Sequence, residues 1–402
     1  METLSKTMSS LGHEAVDSAN QLWRKWCPVS KDYDVVVAYA DDIIVSAADV
    51  PGFWREFKKH FTVSEPEELK RVLGVDISYR RPEKNILEVA TSMVPYTIEV
   101  IKRYTQVPGA PPLKPALSPL VTMDNQTISK LMNEKGIFES TAASIAMSAL
   151  YLARMTRPDI LAAVTRISTE FCKWSAYSDR LLTRLISYLK ETQDAVLTGR
   201  IERGADLHFQ AFADADLGTP DCPRSTSGGA LFVGDGKKSM FLISWHSKRQ
   251  CATSSSTAEA EIVSLSRFCR DLLLPSEIMM DSIEGTEYRA KVFEDNTATI
   301  QIVRNGSSSA LLFVKKHHRI SISVLADVFS HEHRSLHHVS TDSQRADVFT
   351  KVLDVNKMKE ARAQLGLLIG KESLSKDFCV VPISSASSAL LATIQEWKQS
   401  FG

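Results

Sequence analysis

Four acidic residues in the second half of the chain stand where carboxylates could share one site. Asp214 and Asp295 each end an apolar stretch that is typical of a strand, and Glu261 and Asp347 lie near the starts of predicted helices. Strand ends and helix starts meet at one edge of an α/β sheet, which is the usual ligand position in such folds. We therefore expect these four carboxylates to converge.

Converging carboxylates favour a particular chemistry. Four of them at one locus cannot all stay ionised without a cation. Oxygen ligands without a thiol or an imidazole favour Mg²⁺ or Mn²⁺. Two such ions about 3.5–4 Å apart are an arrangement used for phosphodiester cleavage. The pattern predicts a catalytic site that holds two ions on Asp214, Glu261, Asp295 and Asp347.

Each acid also has a simpler interpretation when it is taken alone. Asp295 and Asp347 could be N-cap or first-turn acids, which helices favour for electrostatic reasons. Glu261 could be a solvated helix residue. Asp216 shares a strand face with Asp214 and could be its neighbour at the site or a turn acid. The joint prediction therefore depends on order, topology and the flanking sequence.

Composition narrows the class of protein. The 402 residues include 48 basic and 48 acidic residues, so any nucleic-acid surface must be a local patch. The hydrophobic fraction of 44% supports sizeable cores. The six cysteines show no zinc spacing, and we expect free thiols. No apolar run approaches the roughly 20 residues that cross a bilayer. We expect a soluble intracellular protein, cytoplasmic or nuclear, without a membrane partner.

The first half alternates strand and helix patterns before it becomes helical. Asp41 and Asp42 form the tip of a predicted β-hairpin over 34–46. Five prolines predict an extended connector over 105–123. Helices are predicted, weakly for the first, at 11–26, 50–60, 93–104, 140–155, 158–174 and 177–192. Strands are predicted at 73–79 and 85–90.

The second half predicts a mixed sheet with helices on its faces. Strands are predicted at 207–215, 228–233, 240–246, 289–294 and 333–340. Helices are predicted at 254–283, 296–305, 315–329 and 343–352. The last segment, 355–402, is predicted to contain a helix, a loop and a serine-rich stretch, and it carries no motif.

Short sequence motifs in the second half occur in the order and at the spacing that are typical of one protein family. They are Ala213-Asp-Ala-Asp-Leu-Gly218, Arg224-Ser-Thr-Ser-Gly-Gly229, Ile243-Ser-Trp-His-Ser-Lys-Arg-Gln250, Ser255-Ser-Thr-Ala-Glu-Ala-Glu261, Glu294-Asp-Asn-Thr-Ala-Thr-Ile300, Lys316-His-His-Arg-Ile320 and Ala346-Asp-Val-Phe-Thr-Lys351. This half resembles the ribonuclease H domain of copia-type (Ty1/copia) retrotransposon polyproteins. By resemblance, Asp214, Glu261, Asp295 and Asp347 match the catalytic metal ligands, with Glu259 as the fallback for Glu261.

The first half resembles the same polyprotein. Tyr39-Ala-Asp-Asp42 is similar to the palm signature of the reverse transcriptase, and the segments 151–160 and 185–192 resemble its thumb and connection. The resemblance covers about 34–354. It implies an α+β and α/β chain in which a partial palm and a helical thumb precede a mixed five-stranded ribonuclease H-like sheet with flanking helices. The implied parts are an N-terminal segment at 1–30, a truncated palm at 31–105, thumb and connection at 106–200, ribonuclease H at 205–354 and a tail at 355–402.

The sequence departs from the family in the polymerase half. The polymerase needs a third carboxylate on an earlier strand, and only 38 residues precede Tyr39. We therefore interpret Asp41 and Asp42 as a relic metal site and do not expect DNA synthesis by this chain alone. In the nuclease half, Leu217 replaces a tryptophan usual in the family, which affects packing more than chemistry.

The resemblance implies an RNA/DNA hybrid as the substrate, and other fragments of the polyprotein are possible partners. Candidate contacts to its backbone are the polar and basic residues near the predicted site, although each could equally be a solvated loop or a helix cap. They are Arg224, Ser225, Thr226, Ser227, Lys248, Arg249, Gln250, Asn296, Lys315, Lys316 and His317. Two alternatives remain open. The chain could be a non-catalytic remnant that binds nucleic acid, or a polymerase that another chain completes.

Overall fold

The structure is a computed structural model that describes residues 2–16, 21–218 and 223–370. Within these ranges the strands form two sheets, one of four strands and one of ten. The four cysteines that lie in described regions with assigned burial, Cys27, Cys172, Cys251 and Cys269, are free, as expected. Cys222 and Cys379 lie outside the described residues. Among the residues described, none of the helices combines the length and the apolar character needed to cross a membrane.

The smaller sheet is antiparallel and carries the Asp41–Asp42 hairpin. Its elements are α1 (Glu2–Ser10), β1 (Glu14–Ala15), β2 (Leu22–Cys27), β3 (Asp32–Tyr39), β4 (Asp42–Ser46) and α2 (Val50–Phe57). The predicted hairpin and the helix after it are confirmed. The predicted helix over 11–26 is wrong, because β2 pairs with β3 along its whole length. Trp23 of β2 is fully buried against Met8 and Phe57, so tertiary packing overrides the local helical pattern.

The middle of the chain supplies both strands and helices to the larger assembly. Its elements are β5 (Arg71–Val72), β6 (Val75–Arg80), β7 (Ile86–Ser92), α3 (Val94–Thr105), α4 (Asn125–Met132), α5 (Ala142–Met155), α6 (Leu161–Ser168), α7 (Ala176–Glu191) and β8 (Val196–Glu202). The extended proline-rich connector is confirmed. The sequence reasoning missed α4 and β8. A glycine interrupts β8, and Gly199 is needed there because a Cβ would lie 2.2 Å from Phe241 Cδ2.

The remaining elements form the C-terminal half of the described chain. They are β9 (His208–Asp216), β10 (Thr226–Gly234), β11 (Met240–Arg249), α8 (Thr257–Phe268), α9 (Leu274–Glu284), β12 (Ala290–Glu294), α10 (Thr297–Asn305), α11 (Val314–His317), α12 (Ile322–Ser330), β13 (Arg334–His338), α13 (Val355–Leu365) and β14 (Leu367–Leu368). The strand order β13-β12-β9-β10-β11 is mixed, since β12 runs parallel to β9 and β13 while β10 and β11 are antiparallel to their neighbours. The predicted mixed five-stranded sheet is confirmed.

Three predicted helices differ from the structure. The helix expected over 254–283 is divided by a π-helical segment at Cys269–Leu273, after which Pro275 begins the next helix. The helix expected over 315–329 breaks at Arg319, whose φ is +59°. The helix expected over 343–352 is only a 3₁₀ turn at Asp347–Phe349, and the full helix starts later at Val355.

The sheet continues beyond these five strands. β8 pairs with β7, with β11 and with β14, so β9–β13, β5–β8 and β14 form one surface. One face of the five C-terminal-half strands packs on α5, α6 and α7, and the other packs on α8 and α10. The domain division predicted from the sequence stays a prediction, and strands from four of its ranges meet in this sheet.

Candidate metal centre

Asp214 lies near the end of the central strand β9 and is fully buried. Its partner across the strand pair is Gly228 of β10. A Cβ at Gly228 would lie 2.6 Å from Thr350 Cγ2 and 2.8 Å from Phe349 Cβ. The glycine therefore allows the 3₁₀ turn that carries Asp347 to pack directly over this part of the sheet.

Two groups of carboxylates converge at this edge and share one residue. Oxygens of Asp214, Asp295 and Asp347 lie within 4.8 Å of one another, and so do oxygens of Glu261, Glu294 and Asp295. Asp295 directly follows β12, which runs parallel to β9, so the two strands end side by side. All four acids singled out in the sequence thus lie at one locus.

Glu294 is the acid that the sequence reasoning missed. It is fully buried at the end of β12, and its carboxylate lies within 4.8 Å of those of Glu261 and Asp295. Strand alternation could have found it, because Glu294 shares a face with the buried residues Ala290 and Val292. A carboxylate on the buried face of a strand requires a compensating partner.

Glu259, the fallback for Glu261, points elsewhere. Its Oε1 accepts a hydrogen bond from His318 Nε2 at 2.9 Å, and its Oε2 accepts from the Ser255 backbone N–H at 2.7 Å. His317, next to His318, completes a further group of potential ligands. Since residues two apart on a helix lie on different sides, Glu261 is the one that joins the carboxylate centre.

Lys351 and Thr350 engage the centre from the segment after the 3₁₀ turn. The Lys351 ammonium lies 2.6 Å from Asp347 Oδ1 and 3.1 Å from Asp214 Oδ1. The Thr350 hydroxyl donates a hydrogen bond to Asp214 Oδ2. Asp295 Oδ2 accepts from the Thr341 hydroxyl at 3.2 Å.

Burial and mutual repulsion raise the carboxyl pKa values. The pKa of Glu261 rises to about 11, first through burial and then through the charges of Glu294 and Asp214. The pKa of Asp347 rises to about 6 for the same kinds of reason. Burial also raises the pKa of Asp214, against the opposing effect of Lys351, and raises that of Glu294 well above its usual range.

The donor set fits a divalent cation. Glu261 Oε2 and Glu294 Oε2 are buried without a hydrogen-bond partner. Within the described chain, the ion pairs of these five carboxylates involve a single ammonium, that of Lys351. The ligand atoms are all carboxylate oxygens, which suits Mg²⁺ or Mn²⁺.

The Asp41–Asp42 pair has none of these properties. Both residues are exposed at the tip of the β3–β4 hairpin. In residues 2–16, 21–218 and 223–370, no group of three potential metal ligands includes either of them. Asp34 on the neighbouring strand instead accepts a hydrogen bond from the Ala48 backbone N–H at 2.8 Å.

Three of the predicted backbone contacts are buried in the structure. Ser225, Ser227 and Gln250 are buried at 0%, 0% and 1% exposure. Gln250 Nε2 donates to Ser227 Oγ and to the Ala260 carbonyl, and Ser225 Oγ accepts from the Gly218 N–H. Gln250 thus stabilises the segment before α8, Ser225 stabilises the connection between β9 and β10, and their role as substrate contacts stays a prediction.

The other predicted contacts remain at the surface. Asn296 caps α10 by accepting from the Thr299 N–H at 3.0 Å. Thr226 is half-buried, and its N–H donates to Asp216 Oδ1 at 2.6 Å. The basic side chains are exposed or half-buried, namely Arg224, Lys248, Arg249, Lys315, Lys316 and His317.

A cleft of about 540 Å³ lies between the helical segment and the strands β9–β11. Asp216 and Arg249 line it from the strands, and Arg224 lines it from the segment before β10. Met123 contributes to the wall from the proline-rich connector. Thr350, which donates to Asp214, connects this cleft to the carboxylate centre.

No family model matches the chain. The structure is similar to that of the ribonuclease H1 of the halophilic archaeon Halobacterium salinarum, with 12% sequence identity and a TM-score of 0.27. That similarity covers 38% of this chain and 98% of the other.

Among proteins of known sequence, the chain is 23% identical over 342 residues, or 84% of its length, to the retrovirus-related Pol polyprotein from transposon TNT 1-94 of Nicotiana tabacum. It is 26% identical over 338 residues, or 83% of its length, to that from transposon RE2 of Arabidopsis thaliana. The matched part spans 24% of the first polyprotein and 22% of the second. Over most of its length the chain is therefore similar to copia-type, retrovirus-related Pol polyproteins of transposons.

Proposed function

We propose that this chain is a retroelement fragment whose ribonuclease H-like half cleaves the RNA strand of RNA/DNA hybrids with two Mg²⁺ or Mn²⁺ ions. The observation that carries the proposal is the convergence of five carboxylates around Asp295. A buried cluster of this kind costs stability unless cations occupy it, which is typical of a site kept for chemistry.

The residues divide into two ligand groups. Asp214, Asp295 and Asp347 would hold one ion, and Glu261, Glu294 and Asp295 would hold the other. Bound ions of this kind supply a nucleophilic water and offset the negative charge of the phosphate. Thr350 orients the Asp214 carboxylate through its hydroxyl, so one Asp214 oxygen is fixed before any ligand arrives.

The substrate follows from the surface beside the carboxylates. Exposed cations such as Arg224, Lys315 and Lys316 would contact the phosphates, and such contacts make binding sensitive to salt. Polar groups in the cleft would read the 2′-hydroxyl, which distinguishes RNA from DNA. We place this activity inside the cell, where a retroelement hybrid is made.

We further propose that the described residues alone do not synthesise DNA. The support is the exposed position of Asp41 and Asp42 and their lack of a third ligand residue within the described ranges. A polymerase site could still be completed by an upstream fragment that is supplied as a separate chain.

The test is cleavage of a labelled RNA/DNA hybrid in Mg²⁺ by the full chain and by Asp295→Asn. We expect the parent to cleave and the variant to lose at least about a hundredfold, since Asp295 belongs to both ligand groups. Asp327→Asn, at an exposed position on α12, is the matched control and should cleave like the parent. No cleavage by the parent, or cleavage that survives Asp295→Asn, would overturn the proposal.

One observation favours a second candidate, a non-catalytic remnant that binds nucleic acid. Lys351 already offsets the charge of Asp214 and Asp347 without an ion. Hybrid binding that is equal with Mg²⁺ and with a chelator, together with an absence of cleavage, would favour this candidate over the nuclease.

A further inference from the structure

We infer that Lys351 is an internal counterion that a divalent cation must displace from Asp214 and Asp347. The inference rests on the proposed metal-dependent function and names what changes at that site when an ion enters. It also explains how an acid-rich centre can form in the folded protein before any ion is bound.

The position of the ammonium is the first step. Lys351 Nζ lies 2.6 Å from Asp347 Oδ1 and 3.1 Å from Asp214 Oδ1, so it bridges two of the three carboxylates in the first ligand group. The second oxygen of Asp214 accepts from the Thr350 hydroxyl. Both oxygens of Asp214 are therefore engaged while Lys351 is in place.

An ion and the ammonium cannot share these oxygens. A Mg²⁺ ion lies about 2.1 Å from each ligand oxygen, and Mn²⁺ occupies similar oxygen sites. An ammonium that contacts the same two oxygens would stand within a few ångströms of the ion, where two positive charges repel strongly in a buried site. Entry of the ion at Asp214 and Asp347 thus requires that the ammonium leave.

The Lys351 side chain can move away from the two carboxylates while the local backbone keeps its fold. Its side chain is 35% exposed, whereas that of Asp214 is 1% exposed, so the lysine has a path to water. Its backbone N–H donates to the Asp347 carbonyl at 2.9 Å, which holds the main chain while the flexible side chain moves. The ammonium would remain tethered at the rim of the centre.

A lysine that only positions the ligand carboxylates would change the ion affinity in the opposite direction when it is removed. If Lys351 pre-orients Asp214 and Asp347 for the ion, its removal weakens ion binding. If Lys351 competes with the ion, its removal strengthens binding, although the protein without an ion becomes less stable. The sign of the change in affinity separates the two roles.

The experiment is titration calorimetry of the full chain with Mn²⁺ alone, for the parent and Lys351→Met, with thermal melts in chelator. We expect Mn²⁺ to bind K351M about tenfold more tightly, because a unit charge a few ångströms away is worth at least that factor. We expect K351M to melt at a lower temperature than the parent in chelator and to regain the difference in Mn²⁺.

Two further variants keep the test decisive. Lys351→Arg retains the charge and should bind Mn²⁺ no more tightly than the parent, and Lys359→Met, at an exposed position on α13, should match the parent. Equal or weaker binding of Mn²⁺ to K351M overturns the displacement and leaves the proposed nuclease intact. If neither the parent nor K351M binds Mn²⁺, both the proposed nuclease function and the proposed displacement of Lys351 are overturned.

Discussion

The molecule contains two acidic sites that differ in almost every physical respect. Asp41 and Asp42 are adjacent in sequence, exposed, and placed on a hairpin of the small sheet. Asp214, Glu261 and Asp347 are far apart in sequence, buried or half-buried, and brought together by the large sheet and its flanking segments. The first site is conspicuous in the sequence, and the second exists only after folding.

This difference shows which acids demand a cation. Exposed carboxylates are solvated, and their repulsion is screened by water and salt. Buried carboxylates lose that solvation, so their pKa values rise, as those of Glu261 and Asp347 do. The strength of a metal-site hypothesis therefore depends on burial and convergence more than on the presence of two neighbouring acids.

The largest expected contrast is in catalysis. Asp214→Asn should reduce hybrid cleavage by about a thousandfold, because ion binding and charge stabilisation at the reacting phosphate are worth several kcal/mol. Asp42→Asn should leave the rate within about twofold, since Asp42 lies on the small sheet. Initial rates on a labelled hybrid at saturating Mg²⁺ provide the measurement.

A folding control is needed for this contrast. Asp214 accepts hydrogen bonds from Thr350 and Lys351, so circular dichroism melts should accompany the rates. A folded Asp214→Asn that still cleaves, or a folded Asp42→Asn that does not, would reverse the ranking of the two sites.

Part of the candidate site could be predicted from the sequence because it follows from strand geometry. Asp214 and Asp295 end apolar strands, and parallel strands end at the same edge, so their proximity was predictable. Glu294 could also have been identified from the alternation of side chains along the strand. It was missed because the resemblance to the family pointed to the neighbouring Asp295. The local sequence pattern thus predicted the positions of the strands. Which of the adjacent acids belong to the candidate site could be decided only from the burial of each side chain in the structure.

Other parts depend on packing that no local pattern contains. β8 was missed because Gly199 weakens the strand signal, and the glycine is present to admit the ring of Phe241. β2 was predicted as helix because its burial depends on Met8 and Phe57, which come from other elements. Lys351 follows Asp347 by four residues, yet its contact with Asp214 requires the turn to pack over Gly228.

A second, smaller contrast is in the pH dependence of stability. The folded-state pKa of Asp347, about 6, and that of Glu261, about 11, are both above the ordinary values of 3.8 and 4.5. For an acid whose pKa is raised by folding, stability is fully present below the unfolded pKa and is lost as pH rises toward the folded value. In chelator, the free energy of unfolding should therefore fall by several kcal/mol from pH 5 to pH 8.

Variants at the two sites test whether this pH dependence of stability comes from the buried carboxylates. Glu261→Gln should flatten this pH dependence, and saturating Mn²⁺ should flatten it in the parent, because both remove the cost of ionising Glu261. Asp41→Asn should leave the slope unchanged. Denaturant unfolding at several pH values measures all three, and a slope that Asp41→Asn alters as much as Glu261→Gln would mean that burial does not distinguish the sites.

The smallest expected effect concerns Glu294 and has an unusual sign. Glu294→Gln should raise the stability of the protein in chelator by roughly 1 kcal/mol, because the amide removes a buried charge that faces Glu261 and Asp295. The amide oxygen can still accept from the Asn296 N–H, which is 3.2 Å from Glu294 Oε1. Asp41→Asn, at a solvated position, should change stability by no more than about 0.5 kcal/mol.

The gain from Glu294→Gln should grow from pH 5 to pH 8, because folding raises the pKa of the Glu294 carboxyl and the cost of burying this carboxyl therefore increases with pH. The same variant should bind Mn²⁺ more weakly, so its advantage in chelator should shrink or reverse when the ion is added. Melting temperatures at both pH values, with and without Mn²⁺, measure these differences. If Glu294→Gln destabilises the folded protein in chelator at pH 8, Glu294 is a structural carboxylate like Asp159, which is buried against Arg157 at 2.8 Å, and not a member of the ion-binding centre.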